Sequence, residues 1–138
     1  LGVCAKDMML TACAVLGVGG ATNRVVEFVG PTIESLPHVE RMTLCNMTAE
    51  LGAQTGIISP DQITAKYLRS IGTVFDELTD WRSDPDATFD EILEFDASDL
   101  QPLVAVPHSP ANTTPGQQYR YDKSTPGLHR RLHRGQTE

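Results

Sequence analysis

Asn46 and Glu50 are the residues of this 138-residue chain best placed to do chemistry. They lie four apart in Arg41-Met42-Thr43-Leu44-Cys45-Asn46-Met47-Thr48-Ala49-Glu50-Leu51-Gly52-Ala53. On an α-helix, side chains at i and i+4 stand one above the other on the same face. Leu44, Met47 and Leu51 supply an apolar face at helical spacing, while Cys45 and Thr48 keep the neighbourhood of the pair small. An amide both donates and accepts hydrogen bonds, and a carboxylate in an enclosed site is a general acid or base, its pKa raised by burial. A helix carrying the two together is a way to build one wall of a site. Spacing by itself is met just as well by a surface helix whose Asn and Glu face water.

Other chemistry-bearing residues form weaker patterns. Cys4, Cys13 and Cys45 are odd in number and contain no C-x-x-C pair, which excludes a secreted disulfide framework and zinc-finger spacings. Cys4 and Cys13 read as small core thiols of a reduced, cytoplasmic protein. Gly17-Val18-Gly19-Gly20 lacks the lysine of a phosphate loop and reads as a turn. His38 and His108 stand beside prolines and read as loop residues.

The elements that must hold Asn46 and Glu50 follow from periodicity. Met9, Ala12, Cys13 and Leu16 predict a helix over Lys6–Leu16, stopped by Gly17. Arg24–Val29 is β-rich, and Pro31–Leu36 suits a short helix with proline in its first turn. The motif helix is expected to run from Met42 to Gln54. Ser59 is expected to cap a further helix ending near Ile71, before Gly72. Asp76–Asp90 reads as a solvated acidic run, and Phe89–Asp96 and Leu103–Val106 as strands. Helices interleaved with short strands predict an α/β layered domain with a small, largely parallel sheet flanked by helices.

At 40% apolar content the chain can bury one core. No window approaches the ~18 unbroken apolar residues of a membrane span. Residues 1–115 hold six basic and sixteen acidic side chains, a net of −10, which opposes nucleic-acid phosphates. Residues 116–138 hold five basic and two acidic, a net of +3, without apolar periodicity. They read as a disordered or frameshifted tail behind a domain over 1–115. Leu1 is not an initiator methionine, so a fragment of a longer parent is expected.

The Arg41–Ala53 segment resembles the signature R-M-T-x-C-N-M-x-x-E-x-G-A of the aconitase and isopropylmalate isomerase superfamily. Ala5-Lys6-Asp7, Gly19-Gly20-Ala21, Val25–Gly30, Ile57–Asp61, Phe95–Pro102 and Val106–Pro110 agree in order and spacing. The resemblance implies an aconitase-type domain of an iron–sulfur hydro-lyase that isomerises a small hydroxy-polycarboxylic acid by removing and returning water. Asn46 would lie by the 4Fe-4S cluster, and Glu50 would help protonate the departing hydroxyl. The family's cluster cysteines come from an I-G-[SA]-C-T motif and a C-x-x-C pair, so Cys45 is expected to be a packed thiol. No cluster, metal or independent catalysis is expected of this chain alone. Gly127–Thr137, read one nucleotide later, can spell Ile-Gly-Ala-Cys-Thr, which motivates the frameshift reading. Expected partners are the rest of a large subunit and, in two-subunit members, a separate small swivelling-domain subunit; neither nucleic acid nor membrane is expected. Arg41-Met42-Thr43 and Val106–Pro110 resemble the 3-isopropylmalate dehydratase and homoaconitase branch, the former a leucine-biosynthesis activity, more than aconitase itself. A catalytically inactive stand-alone interaction module of the same fold is the alternative from another class.

Overall fold

The first helix, α1 (Ala5–Leu16), starts where Asp7 reaches back to its own N-terminus. Asp7 Oδ2 accepts from the Cys4 amide (2.8 Å) and the Cys4 thiol (3.1 Å), satisfying a donor that a helix start leaves free. The helix ends at Gly17, whose φ of +76° strongly favours glycine. The computed structural model describes residues 2–73 and 81–119.

Strand β1 (Val25–Glu27) pairs in parallel with β2 (Thr55–Ile57) in the register Val25↔Thr55, Val26↔Gly56, Glu27↔Ile57. Parallel neighbours require a crossover. Here it is built from α2 (Pro31–Ser35), α3 (His38–Met47) and a 3-10 turn over Thr48–Leu51. Next come α4 (Gln62–Ser70), a second 3-10 turn (Ala97–Asp99) and an antiparallel pair, β3 (Leu103–Ala105) with β4 (Thr113–Pro115). The core joins Ala5, Met9 and Cys13 of α1 to Ala21, Leu44 and Leu51, with Val26, Phe28 and Ile58 packed at its edge. The α/β layering is as expected, and the crossover helix lies against both α1 and β2 of the parallel pair. Among the described residues, no helix is long and apolar enough to cross a membrane.

Asp7 also fastens the second sheet to the first layer. Its Oδ1 accepts from the Leu103 amide at 2.8 Å, so one buried carboxylate serves the α1 start and the edge of β3. Burial by itself pushes this carboxyl up; the amides of Leu103 and Cys4, the Cys4 thiol and the Lys6 charge outweigh it and hold the group below its ordinary value. A lowered folded value means that the contribution is complete above the unfolded carboxylate pKa and is lost as pH falls through the folded one. Asp7→Asn is expected to cost about 1–3 kcal/mol at neutral pH, the scale of a disrupted buried charged hydrogen-bond set. Chemical denaturation at pH 7 and again near pH 3 checks it: the two proteins should converge in acid.

Five expectations need correction. Phe89–Asp96 is not a strand: the segment is irregular, with Ile92 71% exposed, because no strand among the described residues pairs with it. One exposed ion pair, Arg24–Glu91 at 2.6 Å, links it to the turn before β1 and adds little stability. The motif helix ends at Met47, seven residues short of Gln54. The cap of α4 is Asp61, not Ser59; its Oδ1 accepts from Ile63 and Thr64, while Ser59 Oγ turns to the Trp81 carbonyl. His38 is not in a loop but opens α3. Cys4 is exposed rather than in the core, since its place at the cap turns the thiol onto Asp7; Cys13 is fully buried. Residues 81–90 are exposed as expected, whereas 74–80 and 120–138 lie outside the described residues, with part of the acidic run and nearly all of the tail.

Candidate functional site

The crossover helix α3 carries the candidate residues, and its closeness to the sheet is set by a missing side chain. A Cβ on Gly56 would come within 2.7 Å of Thr48 Cγ2 and 2.9 Å of Cys45 Cα. Only glycine lets α3 settle onto β2 at that point. Thr48 then donates its hydroxyl to the Cys45 carbonyl (2.7 Å), and the chain tightens from α-helix into the 3-10 turn. Gly52, at φ +74°, closes the turn.

That change of pitch puts the two residues read from the sequence in different elements. Asn46 lies in the last turn of α3, and Glu50 lies in the 3-10 turn; both are exposed. Asn46 lines a cavity of about 210 Å³ together with His38, Arg41, Met42, Cys45, Ile58 and Thr64. Glu50 is not part of that lining. It lies towards α1, where its charge adds to burial in pushing the Cys13 thiol up. The structure therefore puts both side chains on the surface of one crossover and brings only Asn46 to a cavity.

Arg41 was legible as part of the motif but not as its anchor. Its guanidinium is almost wholly buried, with Nε donating to the Leu36 carbonyl (3.0 Å) and Nη2 to the Glu34 carbonyl and to Asp61 Oδ2 (2.7 Å each). Asp61 at the same time caps α4, so a single ion pair joins the α2–α3 corner to α4. The Arg41 hydrogen bond, helped by the Thr64 and Ile63 amides, outweighs burial and holds the Asp61 carboxyl below its usual range. Nearby, the His38 ring stacks on Tyr67 with centroids 4.0 Å apart. Neither contact had a sequence signal, since each joins different elements.

A second cavity, about 280 Å³, also has Arg41 in its wall and is lined by Phe28, Val29, Glu34, Ser59, Asp61 and Arg82 among others. The residues shared by the two cavity walls come from Arg41 and from Ile58, immediately after β2. The larger hollow, with Phe28, Val29, Ile58 and Ser59 in its wall, lies beyond the carboxyl ends of both parallel strands, where α/β sheets generally hold ligands, whereas the smaller has only Ile58 from there. The Arg82–Glu34 contact at the rim of the larger is long (4.0 Å) and well exposed, so it adds little.

The motif residues agree with the family that most of the chain matches. The family model described as aconitase family (aconitate hydratase) aligns with residues 1–134. The chain belongs to the aconitase family. Among curated relatives it is 42% identical over 122 residues to the 3-isopropylmalate dehydratase large subunit of Geobacter metallireducens, covering 83% of this chain and 29% of that protein. It is 43% identical over 113 residues to large subunit 1 of the same-named enzyme from Pyrococcus furiosus, covering 82% and 26%. For large subunit 2 from Rubrobacter xylanophilus the identity is 44% over 115 residues, with 80% and 26% covered. The chain therefore spans less than a third of the length of these relatives.

An aconitase-type iron–sulfur cluster needs several thiolates converging on one point. Here Cys4 is exposed at the start of α1, Cys13 is buried further along it, and Cys45 is on α3, its thiol pushed up by burial. Among the described residues no three His, Cys, Asp or Glu side chains gather to hold a metal. The residues present do not fit such a cluster.

Proposed function

We propose that this chain is the part of a dehydratase large subunit that brings Asn46 and Glu50 to the substrate. The reaction is isomerisation of a small hydroxy-polycarboxylic acid by loss and return of water, with 3-isopropylmalate the substrate favoured over citrate. The observation that carries this reading is the 42–44% identity, across four-fifths of the chain, to relatives named 3-isopropylmalate dehydratase large subunit. In this reading Asn46 orients a neighbouring polar atom through its amide. Glu50 holds a proton at a carboxylate oxygen and delivers it to the hydroxyl that leaves.

In this reading the thiolates for a four-iron cluster come from elsewhere in the polypeptide, which the scattered cysteines here support. The rest of the large subunit, and a separate small subunit, complete the enclosure that Glu50 lacks in this chain. An acidic chain with three free thiols accords with a cytoplasmic enzyme of leucine biosynthesis that contacts neither nucleic acid nor membrane.

The test is turnover by the complete large subunit with its small subunit, assayed anaerobically on 3-isopropylmalate and on citrate. Dehydration of 3-isopropylmalate in clear preference to citrate is the expected result. Preference for citrate would move the assignment to aconitase, and turnover of neither would favour a binding module that has lost catalysis.

A further inference from the structure

Phe89–Asp96 alternates as a half-buried strand does, yet it stands without a ladder. In an extended chain Phe89, Glu91, Leu93 and Phe95 share one face, and Asp90, Ile92, Glu94 and Asp96 share the other. Among the described residues, no backbone amide or carbonyl from Thr88 to Phe95 takes part in a backbone–backbone hydrogen bond. The large apolar side chains of the segment are open to solvent: Phe89 by 50%, Ile92 by 71%, Leu93 by 42% and Phe95 by 44%. A run of free backbone groups between uncovered apolar side chains is a template for strand addition.

Charge selects what can pair there. Residues 89–96 hold four acidic side chains and no basic one. A second copy laid along the segment, in either direction, would set carboxylate against carboxylate, and like charges opposite one another destabilise a ladder. A strand with lysine or arginine at those positions gains where the copy loses. Ile92 stands between Asp90 and Glu94 on the acidic face, so the same strand needs an apolar side chain there.

We propose that Phe89–Asp96 is a docking edge for one strand from the remaining polypeptide of the dehydratase large subunit. That strand is apolar opposite Ile92, Leu93 and Phe95, and basic opposite Asp90, Glu94 and Asp96. The relatives carry more than two thirds of their length outside the stretch matched by this chain. A strand on the same polypeptide meets the edge at high effective concentration, which a separate subunit does not. The identity of the partner rests on the dehydratase reading; the edge rests on the free backbone and the exposed side chains alone.

The experiment is amide hydrogen exchange by mass spectrometry on three samples: the 138-residue chain, the complete large subunit alone, and the large subunit with its small subunit. Peptides over 89–96 should exchange at the unstructured rate in the chain and about 100-fold more slowly in the large subunit alone, as a locally stable ladder does. Asp90→Lys combined with Glu94→Lys turns two attractive cross-strand pairs into repulsive ones and should remove about tenfold of that protection. Ile92→Pro takes away one ladder donor from a segment that is irregular in this chain, and should lower protection as well. Unslowed exchange over 89–96 in the folded large subunit would overturn the edge. So would slowing that appears only with the small subunit, or slowing already present in the isolated chain. The readout is independent of turnover: a large subunit inactive on both acids but protected over 89–96 would remove the dehydratase reading and support the edge.

Discussion

Glu50→Gln in the complete dehydratase is expected to lower kcat by about 10²–10⁴, the range for loss of a positioned acid or base. Glutamine keeps the size and the hydrogen-bonding reach of the side chain and removes only its capacity to carry the transferred proton. The backbone there is held by Leu51, which is buried in the core and whose carbonyl accepts from the Ala21 amide at 2.9 Å. The substitution changes none of that, so the protein should fold and its iron content should match the parent. Glu50 is exposed in this chain, and its carboxylate takes part in no hydrogen bond among the described residues; under the proposed function its pairing comes from substrate or from the remaining polypeptide. Asp86→Asn, in the exposed turn before Phe89, is the control and should leave kcat alone. Steady-state kinetics with metal analysis reads both. Near-normal turnover in Glu50→Gln would return Glu50 to the role of a solvent-facing residue.

Arg41→Ala is expected to be the most damaging single change to stability, at about 3–5 kcal/mol, the cost of removing one partner from a buried ion pair. The arginine side chain is 4% exposed and Asp61 24%, so Asp61 would keep only part of its hydration once alone. The Leu36 and Glu34 carbonyls lose their donors at the same stroke, which frees the α2–α3 corner. Arg41→Lys should fall between, since an ammonium keeps the charge but cannot serve three acceptors from a planar fork. The pair also has a pH signature. Asp61 has a lowered folded pKa, so its contribution is complete above the unfolded carboxylate value and disappears as pH falls through the folded one. Denaturant midpoints at neutral pH and near pH 3 should show the Arg41→Ala deficit shrinking in acid. A deficit below about 1 kcal/mol at neutral pH would reduce the pair to the standing of a surface salt bridge.

Periodic and locally capped elements were legible in the sequence. The apolar spacing of Met9, Cys13 and Leu16, with Gly17 behind it, gave α1 to within a residue, and Pro31 gave α2. Leu103–Val106 gave β3 because its neighbour is close in sequence. Phe89–Asp96 has comparable alternation but no partner, and a strand is defined by its ladder rather than by its own side chains. The motif helix was overextended because composition does not reveal that the Thr48 hydroxyl turns onto the Cys45 carbonyl. At the site, Asn46 and Glu50 could be chosen from spacing and resemblance, but the cavity beside Asn46 could not. It depends on Arg41 meeting Asp61 and on His38 meeting Tyr67, contacts between elements whose packing no local pattern encodes.

The parallel pairing of β1 with β2 has a kinetic consequence. A hairpin can zip from its turn, but this three-rung ladder closes only after the chain between Glu27 and Thr55 has folded back on itself. The entropy of closing so long a loop is lost before any strand hydrogen bond repays it. Helix α3 is therefore expected to be largely formed, with Cys45 and Thr48 presenting the seat for Gly56, when the strands meet. Substitutions that weaken α3 at Leu44 should slow folding, while those in the β3–β4 hairpin should act mainly by speeding unfolding, a division that rate measurements on the two classes would read directly. The segment bearing the family's signature thus also supplies the seat on which the parallel pair closes.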